Sequence, residues 1–371
     1  MGSFSLSLGR QPGLDGLRGI AIAMVVAYHY LTPLLPETRS TTVFAAMASS
    51  GVDLFFVLSG YLLGGILLDQ RHSPHYFTAF YVRRIWRTLP LYTVLIIAGG
   101  FVALTGYDAL SPVLKETLPW WSYVTMTQNV TRATYAGYGS VFTAPTWSLA
   151  IEEQFYLVLP LLLRAMTHRR VPLLAAAGLI AAPVFRVAAA MSPVADPYAA
   201  AYAWPPCRLD VLSIGVLAAW AVRNRRWPSS GPWLSAAAVA AAILAAMVVF
   251  QGPRLTIYVA LVYSALACCY GAVVFGVATS QSGLVSRLCH LRWLRWTGTR
   301  AYGIYLFHIP VVHAIHWMAF GYPLLNGHGL RSGVASATAL MVTLVLAHVS
   351  WTRFEYPLVR WSRTRWTYEG L

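Results

Sequence analysis

The chain has 371 residues, of which 58% are hydrophobic and only 11% charged, with a mean hydropathy of +0.58 and a net charge of +15. A soluble globular domain carries roughly 25% charged residues and disorder requires low hydrophobicity, so both are excluded. Four cysteines, two of them adjacent at Cys268 and Cys269, supply neither a disulfide framework nor zinc spacing. The class left is an all-α polytopic membrane protein.

A helix needs about 20 mostly apolar residues to cross ~30 Å of hydrocarbon. In chain order the sequence predicts ten spans, near 17–35, 46–68, 89–105, 147–163, 171–190, 209–222, 233–250, 255–278, 302–320 and 333–354. The segment 107–146 is polar and aromatic, and it reads as a long outer loop with room for a short or re-entrant helix. With the N-terminus inside, 20 of the 27 lysines and arginines fall on inner segments and 6 on outer ones, with Arg186 within a span. That split follows the positive-inside rule and places both termini in the cytoplasm. Together with anionic lipid it accounts for the net charge, so no nucleic-acid partner is needed. Ala46-Met47-Ala48 has the small-x-small look of a cleavage site, but the first apolar run is long for a signal core and contains ionisable residues, so it is read as a retained span. No internal repeat is visible, and residues 1–371 read as one membrane domain with its core at about 10–360. One lysine beside 26 arginines, with abundant alanine, suits a GC-rich bacterial genome, and the expected location is a bacterial plasma or inner membrane.

Ionisable side chains in spans are costly and usually face a cavity. Arg18 and His29 lie eleven residues apart on the first span. That spacing is three turns plus about 20°, so they share a face with His29 about 16 Å deeper. A topogenic arginine and a structural histidine would explain each alone; the shared face favours a common cavity. Asp53 enters the second span from outside, where helix capping and function fit equally well. Ser59, Gly60, Gly64 and Gly65 on that span suit close helix packing. Arg83, Arg84 and Arg87 crowd the inner segment before Pro90; guanidinium forks suit phosphates, although inner-face topology also favours arginine there. On the fourth span Glu152 and Glu153 follow Trp147 by about a turn and a half, which places them near the outer third. Arg208 and Asp210 open the sixth span on the same side, as an acceptor pocket or a local ion pair. In the ninth span Tyr302, Tyr305 and His308 precede Pro310 on the inner half, and His313 and His316 read as structural. Glu355 closes the last span, paired with an inner arginine.

These groups fall into three layers, with arginines at the inner mouth, an imidazole in the middle and acids outside. The order suits transfer of a chemical group across the membrane. It also suits a carrier or permease for an anionic or sugar-like solute without covalent chemistry.

The strings LDGLRGIA with His29, GVDLFFVLSGYL, RRIWRTLP, TWSLAIEEQFYLVLP, RLDVLSIG, YGIYLFHIPV and FEYPL, taken in order, resemble the acyltransferase-3 family of integral membrane O-acyltransferases. The resemblance runs from about residue 10 to 360, and the chain looks like the minimal form, without the extracytoplasmic domain that some members append. It implies acyl-CoA as co-substrate, no permanently bound cofactor, and a hydroxyl acceptor on a glycan, lipid-linked sugar or macrolide-type molecule. It also implies an arginine–histidine pair at Arg18 and His29, a loop pair at Arg84 and Arg87, and an acidic motif at Glu152 and Glu153. The expected site thus has His29, Glu152, Asp53 and Glu153 in catalysis. Arg18, Arg83, Arg84, Arg87, Tyr305 and His308 hold the donor, and Arg208, Asp210 and Trp147 hold the acceptor. His29 is expected as general base, with a carboxylate, Glu152 or Asp53, orienting its ring; a covalent acyl-histidine is the variant. No metal constellation is visible.

Overall fold

A computed structural model of the chain describes residues 11–105, 114–224, 237, 255–279, 284–321 and 329–369. It is helical throughout, with no strand among the described residues. The helices are α1 (Pro12–Tyr30), α2 (Arg39–Ser49), α3 (Gly51–Asp69), α4 (Tyr76–Leu104), α5 (Trp120–Val124), α6 (Gln128–Tyr135), α7 (Thr146–Ala165) and α8 (Val171–Ala190). They continue as α9 (Pro197–Ala203), α10 (Leu209–Arg223), α11 (Leu255–Thr279), α12 (Leu284–Cys289), α13 (Arg292–Thr299), α14 (Ala301–Phe320), α15 (Leu330–Ser350) and α16 (Tyr356–Arg365). Among the described residues, eight helical stretches are long and apolar enough to cross a membrane. The helix α7 matches the expected span 147–163 and is as long, but it carries Glu152 and Glu153 and is not one of the eight. The expected span 233–250 lies, apart from Ala237, outside the described residues.

The described part of the long loop holds two short helices, α5 and α6, and a set of polar bonds. Glu116 accepts hydrogen bonds from the backbone N–H groups of Thr117 and Leu118 and from the hydroxyls of Tyr123 and Thr143. The short helices α5 and α6 fold around it. The buried Asn129 donates to Ala203 O, and Tyr92 of α4 donates to Tyr123 O, so the loop is fastened over the bundle.

Glycine sets how closely the central helices approach. A Cβ at Gly16 or Gly19 would collide with the Cys289 or Leu294 carbonyl, and one at Gly298 with that of Asp15. The glycines flanking Arg18 therefore let α1 lie directly on the end of α12 and on α13. Gly60 and Gly215 do the same between α3 and α10, each facing the other helix's backbone. Small residues of this kind are how helices approach in lipid, where no hydrophobic force drives them together, and the expected packing role of Gly60 holds.

Ion pairs then fasten the same helices. Arg208 reaches Asp53 at 2.7 Å at one end of the α3–α10 pair, and Arg223 grips Asp69 through two 2.7 Å contacts at the other. Arg186 of α8 meets Asp210 at 2.9 Å, both side chains fully buried. Ser264 of α11 accepts from Arg186 and donates to Asp210. The expected local pair of Arg208 with Asp210 is thus replaced by crossed partners, because each side chain leaves its own helix to neutralise a neighbour. Removing one member of a buried pair leaves an uncompensated charge and costs about 3–5 kcal/mol. Arg208→Met is expected to lower stability on that scale, and Asp53→Leu combined with Arg208→Met to recover most of it. Unfolding of the purified variants in detergent checks both.

Candidate functional site

Two cavities lie end to end between α1, α3, α7 and α14. The inner one, towards the N-terminal end of α1, is narrow, about 90 Å³, and the outer one, towards the C-terminal end of α1, is about 520 Å³. Val52 and Tyr305 line both, and they form the waist between them. At the waist the Tyr305 and Ser148 hydroxyls are hydrogen-bonded at 2.6 Å.

The inner chamber is lined by Arg18, Arg84 and Arg87, with Glu152, Ser59 and Tyr156. None of the three arginines has an ion pair among the described residues. Arg84 lies over the Tyr156 ring at 5.7 Å, and Arg87 over Trp351 at 5.2 Å and Tyr302 at 5.8 Å. Such cation–π seating orients a guanidinium without neutralising it. Glu152 is held by the Ser59 hydroxyl at 2.7 Å. Three guanidiniums against one lining carboxylate leave the chamber net positive, so it favours an anion.

The outer chamber is lined by His29, His308, Arg132, Tyr28, Trp147 and Tyr202, among others. His29 is half-buried near the outer end of α1, and its Nδ1 lies 2.9 Å from Val25 O and 3.3 Å from His308 Nε2. Its Nε2 has no hydrogen-bonding partner among the described residues. His308 is fully buried, with Nδ1 2.6 Å from Tyr305 O. Arg132 of α6 lies over Tyr138 at 4.2 Å and Trp147 at 5.6 Å, giving the chamber an aromatic wall with one cation. Behind Tyr202 sits Arg208, 4.4 Å from its ring. Burial pushes the Tyr202 hydroxyl up to about 12 against the opposing pull of Arg208, so it stays a hydrogen-bond donor at neutral pH.

The chain thus brings together many of the expected residues, with several changes of place. Arg18 and His29 face adjoining chambers, one each. Glu152, expected on the outer side, joins the arginines below the waist, and Glu153, beside Arg84, does not line either cavity. His308, expected on the inner half with the donor groups, stands beside His29 in the outer chamber; Tyr305 serves both chambers. Asp53, Arg208 and Asp210 line neither cavity, being consumed in the ion pairs that hold α3, α8 and α10. Arg83 donates instead to Trp366 O and Arg363 O, tying α4 to the C-terminal segment. Glu355 makes no ion pair among the described residues and accepts from the Ser350 hydroxyl at 2.9 Å. His316 is satisfied by Ser336, as a structural histidine would be. Sequence reasoning missed Arg132, Tyr202, Ser148 and Tyr156. For Arg132 there was a signal, an arginine on the outer side against the general charge asymmetry and within the long loop.

Comparison with known proteins gives a family. A model described as an acyltransferase domain, that of the acyltransferase-3 family, matches residues 11–350. A peptidoglycan O-acetyltransferase of Listeria monocytogenes is 28% identical over 322 residues, which are 81% of this chain and 49% of the relative. A Bacillus subtilis protein provisionally named a peptidoglycan O-acetyltransferase is 30% identical over 376 aligned positions, 94% of this chain and 54% of that protein. The chain therefore spans about half the length of these curated relatives. No solved structure matches it significantly.

An anion-selective inner chamber gives a binding prediction. Inorganic diphosphate is expected to raise the Tm of the purified protein, and Arg84→Ala to lose most of that rise. Thermal unfolding with and without the anion measures it.

Proposed function

The chain belongs to the acyltransferase-3 family, and from that premise we propose that it is a membrane O-acyltransferase carrying an acetyl or other short acyl group from acyl-CoA to a hydroxyl. The acceptor is a glycan, a lipid-linked sugar or a macrolide-type molecule. In this reading the chain crosses the membrane ten times with both termini cytoplasmic, so the arginine chamber opens inward and the histidine chamber outward. One observation carries the proposal: a half-buried imidazole, one ring nitrogen of which has no partner among the described residues, lines a chamber that meets at a waist a second chamber lined by three guanidiniums without an ion pair among the described residues.

In the proposed reaction Arg18, Arg84 and Arg87 grip the donor's phosphates, as guanidinium forks do. The pantetheine arm brings the thioester to the waist. The acceptor hydroxyl binds in the outer chamber against Trp147, Tyr202 and Arg132. Its proton passes to His29 Nε2 as its oxygen attacks the thioester carbonyl. The hydroxyls of Tyr305 and Ser148 donate to the developing oxyanion. The C–S bond then breaks, the ester leaves, and the thiolate takes the proton back from the imidazolium. Atoms balance as acyl-CoA plus alcohol giving ester plus free thiol. Glu152, held below the waist, keeps the arginine cluster from excessive mutual repulsion.

The relatives whose names specify peptidoglycan support a glycan acceptor, as does the aromatic wall of the outer chamber, since sugar faces stack on such rings. A carrier would move its solute unchanged and leave the thioester intact, so release of free thiol on mixing acyl-CoA and acceptor separates the two readings. His29→Ala is expected to reduce transfer by about 10²–10⁴-fold with unfolding unaltered. Retention of most activity by the purified variant would overturn the assignment. Arg84→Ala is expected to raise KM for the donor about tenfold or more with kcat largely kept, because it removes binding shared by ground and transition states; steady-state kinetics in the donor measures this.

A further inference from the structure

We infer that His308 is a positioning residue that locks the proton of His29 on Nδ1, leaving Nε2 as the basic nitrogen. The inference rests on the proposed role of His29 as base and deepens it. A carbonyl oxygen only accepts hydrogen bonds. His308 Nδ1 lies 2.6 Å from Tyr305 O, so it carries a proton, and in the neutral ring Nε2 is then a lone pair. That lone pair faces His29 Nδ1 at 3.3 Å, while Val25 O faces the same nitrogen at 2.9 Å. Both neighbours of His29 Nδ1 are acceptors, so Nδ1 must be the N–H, shared between them as a three-centre bond. The opposite tautomer of His29 would aim a lone pair at a carbonyl and at a second lone pair. The only ring nitrogen of the pair left for chemistry is His29 Nε2, which meets no hydrogen-bonding partner among the described residues.

The same geometry replaces the carboxylate expected behind the base. Among the described residues no Asp or Glu lines the outer chamber. Asp53 is held by Arg208, and Glu152 is on the far side of the waist. A neutral imidazole therefore stands where an acid was expected, and it suits a medium in which a permanent buried anion would need its own counter-charge. When His29 takes the acceptor's proton at Nε2, its Nδ1–H bond to His308 becomes charge-assisted and stronger. The positive charge is then shared between two rings, and it disappears when the proton passes to the departing thiolate. No proton is gained or lost over the cycle. The buried His308 is itself held still, since its own carbonyl accepts from the Tyr30 hydroxyl at 2.8 Å.

The test uses the full chain in bilayers. Histidine ring ¹⁵N spectra of the wild type, with His29 assigned from its loss in His29→Ala, are expected to show a protonated Nδ1 and an unprotonated Nε2. His308→Gln keeps an acceptor near the Nε2 position, and it is expected to retain kcat within about tenfold. His308→Leu removes the acceptor, and it is expected to lose about 10²-fold or more in kcat with KM for the donor unchanged. It should also give mixed His29 tautomers. A wild-type His29 protonated on Nε2, or a folded His308→Leu with normal kcat, overturns the inference. If His308→Leu does not fold, the wild-type spectrum and His308→Gln decide alone. Failure of the base reading looks different, since His29→Ala would then keep its activity whatever the tautomer.

Discussion

The structure depends on where charge in the bilayer is neutralised and where it is left unpaired. At the N-terminal ends of α3 and α10, Asp53 and Asp210 are matched by Arg208 and Arg186 within 3 Å, in sites with almost no solvent exposure. A buried charge without a partner is so costly that such pairs fasten helices firmly even where replacing both by apolar groups would serve as well. Around the inner chamber the opposite holds. Arg18, Arg84 and Arg87 are seated on aromatic rings or left open to the cavity, with no ion pair among the described residues. The two arrangements use the same residue types, and only the partner distinguishes scaffold from site.

That distinction explains what the sequence could and could not reveal. Most described spans followed from apolar run length, but α4 begins at Tyr76 rather than near 89, so Arg83, Arg84 and Arg87, expected on a loop, lie on a helix; the shared face of Arg18 and His29 followed from helical periodicity, a property of one segment. The choice of partners was not legible. Asp53, Arg208 and Asp210 looked like site residues because ionisable groups in spans usually are, but which acid meets which arginine is set by the α3–α10 and α8–α10 contacts. Glu152 was misplaced for a related reason. Its depth below Trp147 was counted correctly along α7, yet the waist at Tyr305 lies between the two, so a turn and a half moves the side chain from one chamber to the other. Arg132 was overlooked because it sits in a loop with no periodicity to follow, and only the fold of that loop around Glu116 brings it over Trp147.

Glycine placement links the scaffold to the site. Gly16 and Gly19 bracket Arg18 and allow the end of α12 and α13 to lie on the α1 backbone, and Gly298 of α13 lines the inner chamber itself. The backbone contact that closes one wall of the cavity is thus the one that fixes the helix presenting the guanidinium. The π-helical turn at Trp351–Glu355 lies in the same region. It carries Trp351 under Arg87, and π turns commonly mark functional positions in helices.

The constriction at Val52 and Tyr305 also has a bearing on the cell's energy supply. In the proposed orientation, a continuous water column from the inner vestibule past two imidazoles to the far side would conduct protons and discharge the electrochemical gradient. The hydrogen-bonded hydroxyls of Tyr305 and Ser148 stand at that constriction. In the proposed reaction the donor's acylated arm fills the same gap as a stopper, so a passage wide enough for a thioester need never stand open as a leak.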